Sequence, residues 1–330
     1  MNRKWVKQVY FMAILLGSAS VLFLMLSLNY NQETPTQNEA NEDIELVNEI
    51  LIEDSLEKNE FYLPEVPKGI MFCNEEIPLN ISDVHEMLDN EMIVNNYWHS
   101  QTFRLLKRSN RFFPEIEPIL KEYGVPDDMK YLLLAESGLR NVTSPAGAKG
   151  YWQFMKSTAL EYDLEISKDV DERYHLEKAT VAACKYLKKA HKRFDSWVLA
   201  AAAYNMGSGG LSNQIKKQKT NNYFRLHLNS ETSRYVYRIL AIKSIMESPE
   251  NYGFKFGKKD LYQPYSYDTY LVDTTIHNLI DFASAINANY KMLKKANPWL
   301  ISNKLSNEKK KVYTCYSKKL SSVKINFILF

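Results

Sequence analysis

The stretch MKYLLLAESG, residues 129–138, decides the fold and is almost wholly apolar until it reaches Glu-Ser-Gly. On a helix, Leu132 and Leu133 lie one turn before Glu136 on the same face, so the carboxyl group emerges over an apolar surface. Desolvation there would raise the pKa of Glu136 and keep it protonated near neutral pH, as a general acid requires. The spacing alone also fits an ordinary, partly exposed glutamate at a helix end. The neighbouring motifs must therefore distinguish a catalytic acid from such a residue.

Helical spacing continues on both sides of this stretch. Gly124 is a natural residue to end one helix, and Pro126 is a natural residue to open the next. Ser196 can cap a later helix. The predicted helices cover residues 94–105, 116–123, 179–194, 197–205 and 235–246, and the glycines Gly207, Gly209 and Gly210 stop the fourth. No comparable run of alternating residues occurs between residues 80 and 250, which predicts an all-α domain over residues 81–253.

The motifs that follow Glu136 carry the chemistry. They are GAKGYWQFM at 147–155, DER at 171–173, AAYN at 202–205 and ET at 231–232, the last followed by RYV. Each is weak alone. In this order and at these intervals, residues 90–253 resemble the lytic transglycosylases that have the goose-lysozyme-like fold.

The resemblance implies a role for each candidate residue. Glu136 would be the catalytic acid and base, with Ser137 orienting it and Tyr204 lying beside its carboxyl group. The substrate contacts would come from Gly147, Gly150, Gln153, Phe154, Met155 and Asn205. Trp152 and Phe154 also suit a core, and Asn205 also suits a helix terminus. Tyr151 and Met206 depart from the family pattern, which usually has smaller residues there.

A single carboxyl group then implies a particular reaction. Glycosidases ordinarily pair two carboxylates. By resemblance, Glu136 instead protonates the oxygen between N-acetylmuramic acid and N-acetylglucosamine in peptidoglycan, and then assists the sugar's own 6-hydroxyl in closing a 1,6-anhydro ring. No metal or other cofactor is required. Glu172 and Glu231 are expected in structural segments. A goose-type lysozyme that hydrolyses the same bond and a catalytically idle glycan-binding protein of the cell envelope stay open as alternatives.

Residues 265–318 predict a small βααβ unit. The strands are expected at 267–272 and 311–316. Between them, a first helix is capped by Thr275 and runs to Ala283, and a second helix covers 290–296. With DTT at 273–275 and NPWL at 297–300, the unit resembles a divergent LysM repeat, which implies binding of acetylated glycans. Residues 319–330 are left as an unassigned tail, of which 325–330 are mostly apolar.

The amino-terminal segment predicts a membrane anchor. Arg3, Lys4 and Lys7 precede an uncharged apolar run over residues 9–28, long enough to span a bilayer as one helix. The positive flank favours export of the rest of the chain, which places the catalytic domain outside the cytoplasm, in the periplasm. A cleaved signal peptide is the competing interpretation. Residues 29–80 predict a polar tether with at most a short helix at 44–52.

Composition further narrows the classes of molecule that the chain is expected to bind. The 42 basic and 39 acidic residues give a net charge of +3, far from the basic signature of a nucleic-acid-binding protein. The 3 cysteines are too few for a disulfide framework or a metal cluster. Cys184 is expected in the core, and a disulfide between Cys73 and Cys315 is left open.

Overall fold

Helices dominate the computed structural model, which describes residues 62–318. The predicted anchor, the tether up to residue 61, its short helix and the tail at 319–330 lie outside the described residues. Among residues 62–318, no helix is both long enough and apolar enough to cross a membrane.

The elements follow in chain order. They are β1 Met71–Phe72, β2 Glu75–Glu76, α1 Ser82–Tyr97, α2 His99–Glu122, α3 Met129–Ser137, β3 Val142–Thr143, β4 Lys149–Gly150, α4 Lys156–Glu161, α5 Leu176–Phe194, α6 Trp197–Met206, α7 Ser208–Gln218, α8 Ser230–Glu247, β5 Tyr267–Val272, α9 Leu279–Ala285, α10 Tyr290–Ala296 and β6 Tyr313–Lys318. The strands form three antiparallel pairs, β1 with β2, β3 with β4 and β5 with β6. The mainly α prediction is therefore confirmed.

The core lies where α8 packs against α1, α3 and α6, and where α5 packs against α6 and α2. Leu132 and Leu133 of α3 are completely buried there, as their spacing predicted. The alanines at 200–203 are also fully buried. Their short side chains let neighbouring helices approach α6 closely, which brings the ends of α3, α6 and α8 together.

Several predicted boundaries are confirmed and others are wrong. The Ser196 hydroxyl accepts a hydrogen bond from the Leu199 N–H at the start of α6, as predicted for a cap. The helix predicted over 94–105 is interrupted at Trp98, which separates α1 from α2. Gly207 directly follows the end of α6, as predicted, whereas Gly209 and Gly210 already lie in the first turn of α7.

The folded unit begins earlier than the predicted boundary at residue 81. Phe72 and Ile77, assigned to the tether, are buried in the main core. In the same hairpin, the Glu75 carboxylate accepts hydrogen bonds from the Ser196 hydroxyl at 2.6 Å and from the Trp197 N–H. Negative charge is favourable at a helix amino terminus, so the hairpin helps to hold α6 in place.

The carboxy-terminal unit has the predicted βααβ order and its own core. Strand β5 has the predicted bounds, and β6 runs to Lys318 and pairs with it along its whole length. Asn278 caps α9, whereas Thr275, predicted as the cap, accepts a hydrogen bond from the Asn307 N–H. The cysteines of the described chain, Cys73, Cys184 and Cys315, are buried and free, so the disulfide left open is absent there.

Candidate active site

A cleft of about 610 Å³ opens where α3, α6 and α8 meet the loop at 147–155. Its lining residues are Ala135, Glu136, Ser144, Ala146, Ala148, Gln153, Phe154, Met155, Thr158, Tyr186, Tyr204, Asn205, Met206, Gly207, Glu231, Tyr235 and Arg238. Five residues predicted as substrate-contacting or catalytic thus meet Glu136 in one concave site: Gln153, Phe154, Met155, Tyr204 and Asn205.

Glu136 lies in the last turn of α3, half-buried in the cleft wall. The pKa of its carboxyl group is raised to about 7, mainly by burial, and the charge of Glu231 acts in the same direction. A hydrogen bond from Tyr235 and the charge of Arg238 act in the opposite direction. Burial therefore outweighs the stabilising contacts, and the group exchanges a proton readily near neutral pH.

Ser137 does not hold Glu136 by a hydrogen bond. Its hydroxyl is buried and has no hydrogen-bond partner in the described part of the chain. Because successive helical residues point in different directions, Ser137 is directed into the core while Glu136 faces the cleft.

Two tyrosines flank the carboxyl group, and the structure separates their roles. Tyr204 lines the cleft, but its hydroxyl donates to the Trp152 carbonyl at 2.7 Å. Tyr235 is the residue that donates to Glu136 Oε1. Tyr204 therefore lies in the same cleft as the carboxyl group, as predicted, but the hydrogen bond to that group comes from Tyr235.

Sequence reasoning missed a polar stripe on α8. Glu231, Tyr235 and Arg238 recur at intervals of four and three residues, which places them on one face of the helix. All three line the cleft. The quoted ET and RYV motifs contained the first two, so reading them on a helical face could have found the stripe. Glu231, expected in a structural segment, is a second carboxylate in the site.

Gln153 is held in an unusual backbone conformation. Its φ is +50°, in the left-handed region that few non-glycine residues adopt. Its side-chain Nε2 donates to the carbonyls of Val142 at 3.1 Å and Gly150 at 2.6 Å. Both amide hydrogens are thus used, and Oε1 is left to accept a hydrogen bond from a bound molecule.

Gly147 and Gly150 are not among the residues that line the cleft, and their predicted role of giving a sugar room stays a prediction. A Cβ on Gly150 would lie 1.8 Å from the Arg173 carbonyl oxygen. Gly150 is therefore needed for close packing of the loop against the chain behind it. Gly147 has a φ of +87°, which explains glycine there by backbone conformation.

The aromatic residues of the loop divide between the core and the cleft. Trp152 is fully buried and donates from Nε1 to the Thr180 hydroxyl at 2.9 Å, so its core interpretation holds. Phe154 is nearly buried at the cleft floor, and Met155 is exposed at its edge. Of the two departures from the family pattern, Tyr151 contacts Phe112 and does not line the cleft, whereas Met206 does line it.

Asn205 connects two helices at the cleft wall. Its Nδ2 donates to Glu231 Oε1 at 3.1 Å, and its Oδ1 accepts from the Thr232 hydroxyl at 2.8 Å. Asn205 thus positions Glu231 from within the last turn of α6, which ends at Met206. Glu172, by contrast, is buried away from the cleft and paired with Lys178, as expected of a structural residue.

Comparison with known families agrees with this geometry. Residues 115–226 match the family described as Transglycosylase SLT domain. The helical unit that contains these residues is similar to an SLT domain. Residues 268–316 match the family described as Soluble lytic transglycosylase C-terminal LysM-like domain. Both resemblances drawn from the sequence are confirmed.

Named relatives are similar to more than half of the chain. Membrane-bound lytic murein transglycosylase D from each of two Escherichia coli strains is 28% identical over 198 residues, 57% of this chain and 43% of the relative. The chain thus spans less than half the length of these curated relatives. A solved structure, an inactive mutant of lytic transglycosylase Slt from Pseudomonas aeruginosa, aligns with a TM-score of 0.33 and 20% identity, over 46% of this chain and 26% of that one.

Proposed function

We propose that this chain is a peptidoglycan lytic transglycosylase. It cleaves the β-1,4 bond between N-acetylmuramic acid and N-acetylglucosamine and leaves 1,6-anhydro-N-acetylmuramic ends. The observation that carries this proposal is Glu136, whose pKa of about 7 and position in the cleft suit one group that acts first as acid and then as base. The match to the SLT domain and the names of the relatives support the same reaction class.

In this reaction Glu136 gives its proton to the glycosidic oxygen as the bond to the muramic acid breaks. The carboxylate that results then takes a proton from the 6-hydroxyl of the same sugar, which bonds to its own anomeric carbon. An internal nucleophile acts at high effective concentration, so the enzyme needs no second group to activate water. The Tyr235 hydrogen bond stabilises the carboxylate between the two steps.

Gln153 is proposed as the contact to an acetamido group. Its Oε1 faces no donor from the described residues, and both amide hydrogens are held by backbone carbonyls. An oxygen held in this way can accept the amide N–H of an N-acetyl sugar with little loss of side-chain entropy. Met155 and Tyr204 supply apolar surface for the sugar ring.

Hydrolysis is the second candidate, because Glu231 lies in the same cleft. Inverting glycosidases place a base opposite the acid so that a water molecule fits between them. Glu231 is exposed and hydrogen-bonded to Asn205, so it is accessible to water. This arrangement favours a lysozyme-like hydrolase over a catalytically idle protein as the rival function.

Digestion of purified peptidoglycan followed by mass spectrometry tests the proposal. Anhydro ends are lighter than reducing ends by one water, so the two reactions give different masses. We expect predominantly anhydro ends. Reducing ends would make the chain a hydrolase, and intact peptidoglycan after prolonged incubation would leave only glycan binding.

The proposed location is the cell envelope, where peptidoglycan lies. The apolar run at residues 9–28 would anchor the chain, with the SLT domain in the periplasm. The Escherichia coli relatives are named as membrane-bound proteins, which supports the same location. Cell fractionation of the full chain tests it, and recovery of a shortened soluble protein would favour signal cleavage.

A further inference from the structure

The segment at 169–171 belongs to both domains of the structure. Val170, from the SLT domain, is buried in the hydrophobic core of the LysM-like unit and forms an isolated bridge with Leu300. On either side, the Asp171 N–H donates to the Trp299 carbonyl and the Ile301 N–H donates to the Asp169 carbonyl, each at 2.9 Å. The segment thus pairs with the LysM-like unit as a short strand would.

The Asp169 carboxylate completes this attachment. Its Oδ1 accepts from the Ser302 hydroxyl at 2.9 Å, and its Oδ2 accepts from the Ser306 N–H at 3.0 Å. The side chain is almost completely buried, so its charge depends on these donors from the LysM-like unit. Burial alone would raise the pKa of Asp169, but these hydrogen bonds hold it below its usual range.

Two residues further on, the same segment reaches the cleft loop. Asp171 holds Arg173 through two parallel hydrogen bonds, Nε to Oδ1 at 2.9 Å and Nη2 to Oδ2 at 2.7 Å. Arg173 Nη1 donates to the Phe154 carbonyl at 3.2 Å, next to Gln153. The Arg173 carbonyl lies against Gly150. A buried bidentate ion pair is rigid, so a shift of Asp171 is transmitted to the loop.

We propose that the LysM-like unit positions the cleft loop of the SLT domain, with Asp169 as the positioning residue that joins them. The pathway runs from Ser302 to Asp169, along the chain to Asp171, and through Arg173 to the loop at 147–155. This inference rests on the proposed function for its catalytic consequence. Its structural part, the coupling of Asp169 to the loop, stands without it.

The first measurement is amide hydrogen exchange in the full chain. The amides of Lys149 and Phe154, which bond to each other's carbonyls, report the order of the cleft loop. Asp169→Ala removes the carboxylate contacts, and we expect both amides to exchange faster. Ser302→Ala removes the bond to Oδ1, together with local bonds between Ser302 and Lys304, but leaves the bond from the Ser306 N–H to Oδ2. We expect a smaller effect in the same direction, and this variant tests the proposal even if Asp169→Ala does not fold.

The matched control is Asn289→Ala. Asn289 caps α10 by accepting from the Met292 N–H at 2.9 Å, so its loss weakens the LysM-like unit while leaving the contacts with 169–171 in place. We expect wild-type exchange at Lys149 and Phe154 in this variant. Equal acceleration in Asn289→Ala and Asp169→Ala would overturn the proposal, as would wild-type exchange in both Asp169→Ala and Ser302→Ala.

The second measurement is turnover on peptidoglycan. Coupling through a contact network usually changes an activity by about 2- to 30-fold, so we expect a fall in kcat of that size in Asp169→Ala. If Asp169 acts through the loop, the double variant Asp169→Ala, Gln153→Ala loses no more kcat than Gln153→Ala alone. Additive losses would contradict the positioning role. A wild-type chain with no cleavage would refute the proposed function instead, while hydrogen exchange still decides the coupling.

Discussion

The Tyr235 hydroxyl donates a hydrogen bond to Oε1 of Glu136 across the cleft between α8 and α3. Tyr235 is buried and Glu136 is half-buried in the cleft wall, and burial raises the pKa of each. Tyrosine stays protonated near neutral pH and can only donate to the carboxylate. The bond therefore favours the charged form of Glu136 and limits the rise in its pKa to about 7.

Removing this hydroxyl tests its effect on proton transfer. In Tyr235→Phe the ring remains but the donor is lost, so the pKa of Glu136 rises. A hydrogen bond to a charged group contributes about 1.5–3 kcal/mol, which corresponds to about 1–2 pKa units. The alkaline limb of kcat/KM, which reports loss of the proton from the free enzyme's acid, moves to higher pH by that amount.

Tyr204→Phe is the matched control for this shift. Its hydroxyl bonds to the Trp152 carbonyl, not to Glu136, so the alkaline limb stays near the wild-type position even if the overall rate falls. Equal displacement in both variants would mean that general loosening of the cleft moves the pKa.

The sequence was sufficient for the parts of the site governed by local spacing. Leu132 and Leu133 lie one helical turn before Glu136, so its apolar surroundings follow from α3 alone. The Tyr235 contact could not be predicted in this way, because it joins residues 99 positions apart in the chain. It depends on how α8 packs against α3, and no local pattern encodes that packing.

The features that local spacing did not indicate share a different cause. Gly150 was expected to give a sugar room, and the structure adds a packing reason for glycine there, because the carbonyl of Arg173, well downstream in the sequence, lies against it. Phe72 and Ile77 were assigned to the tether because their surroundings are polar in sequence, yet they complete the main core. In each case a long-range contact overrides the character of the local segment.

Glu231→Gln separates the two candidate reactions. In a transglycosylase, Glu231 acts only by its charge, which raises the pKa of Glu136. The variant then retains anhydro products, and its alkaline limb moves to lower pH by less than about one unit, since an exposed charge is screened. This shift shrinks as salt is added. Loss of all cleavage would instead identify Glu231 as the base of a hydrolase.

Glu136→Gln tests the catalytic acid directly. The amide has nearly the same shape but cannot give up a proton, and the same group is needed again as the base. We expect turnover to fall at least by the factor of about 10²–10⁴ typical of losing general acid catalysis. Binding of the variant to insoluble peptidoglycan serves as the control for an intact cleft. Turnover near the wild-type value would exclude Glu136 from the mechanism.

The same variant carries a pH signature in stability. The pKa of Glu136 is about 7 when folded against an ordinary value of 4.5, so the folded state binds the proton more tightly. This group's contribution is therefore lost as pH rises from 4.5 through 7. Glu136→Gln lacks this loss, and its unfolding free energy relative to wild type should grow between pH 4 and pH 8 by at most about 3 kcal/mol. A difference independent of pH would contradict the raised pKa.

Gly150→Ala tests the close packing behind the cleft loop, with Gly147→Ala as the matched control. Both glycines have positive φ, so alanine at either position costs about 1–2 kcal/mol of backbone strain. At Gly147 no atom lies within 4 Å of the added Cβ, and strain is the whole cost. At Gly150 the Cβ also meets the Arg173 carbonyl at 1.8 Å, which forces the loop away from its support. Overpacking of this kind costs about 1–3 kcal/mol more, which gives about 2–5 kcal/mol in all, and the displaced loop carries Gln153 out of position.

Thermal unfolding measures the loss of stability, and kcat of the folded enzyme measures the displacement of Gln153. Equal melting temperatures and equal turnover in the two variants would show that contact with Arg173 does not hold the loop.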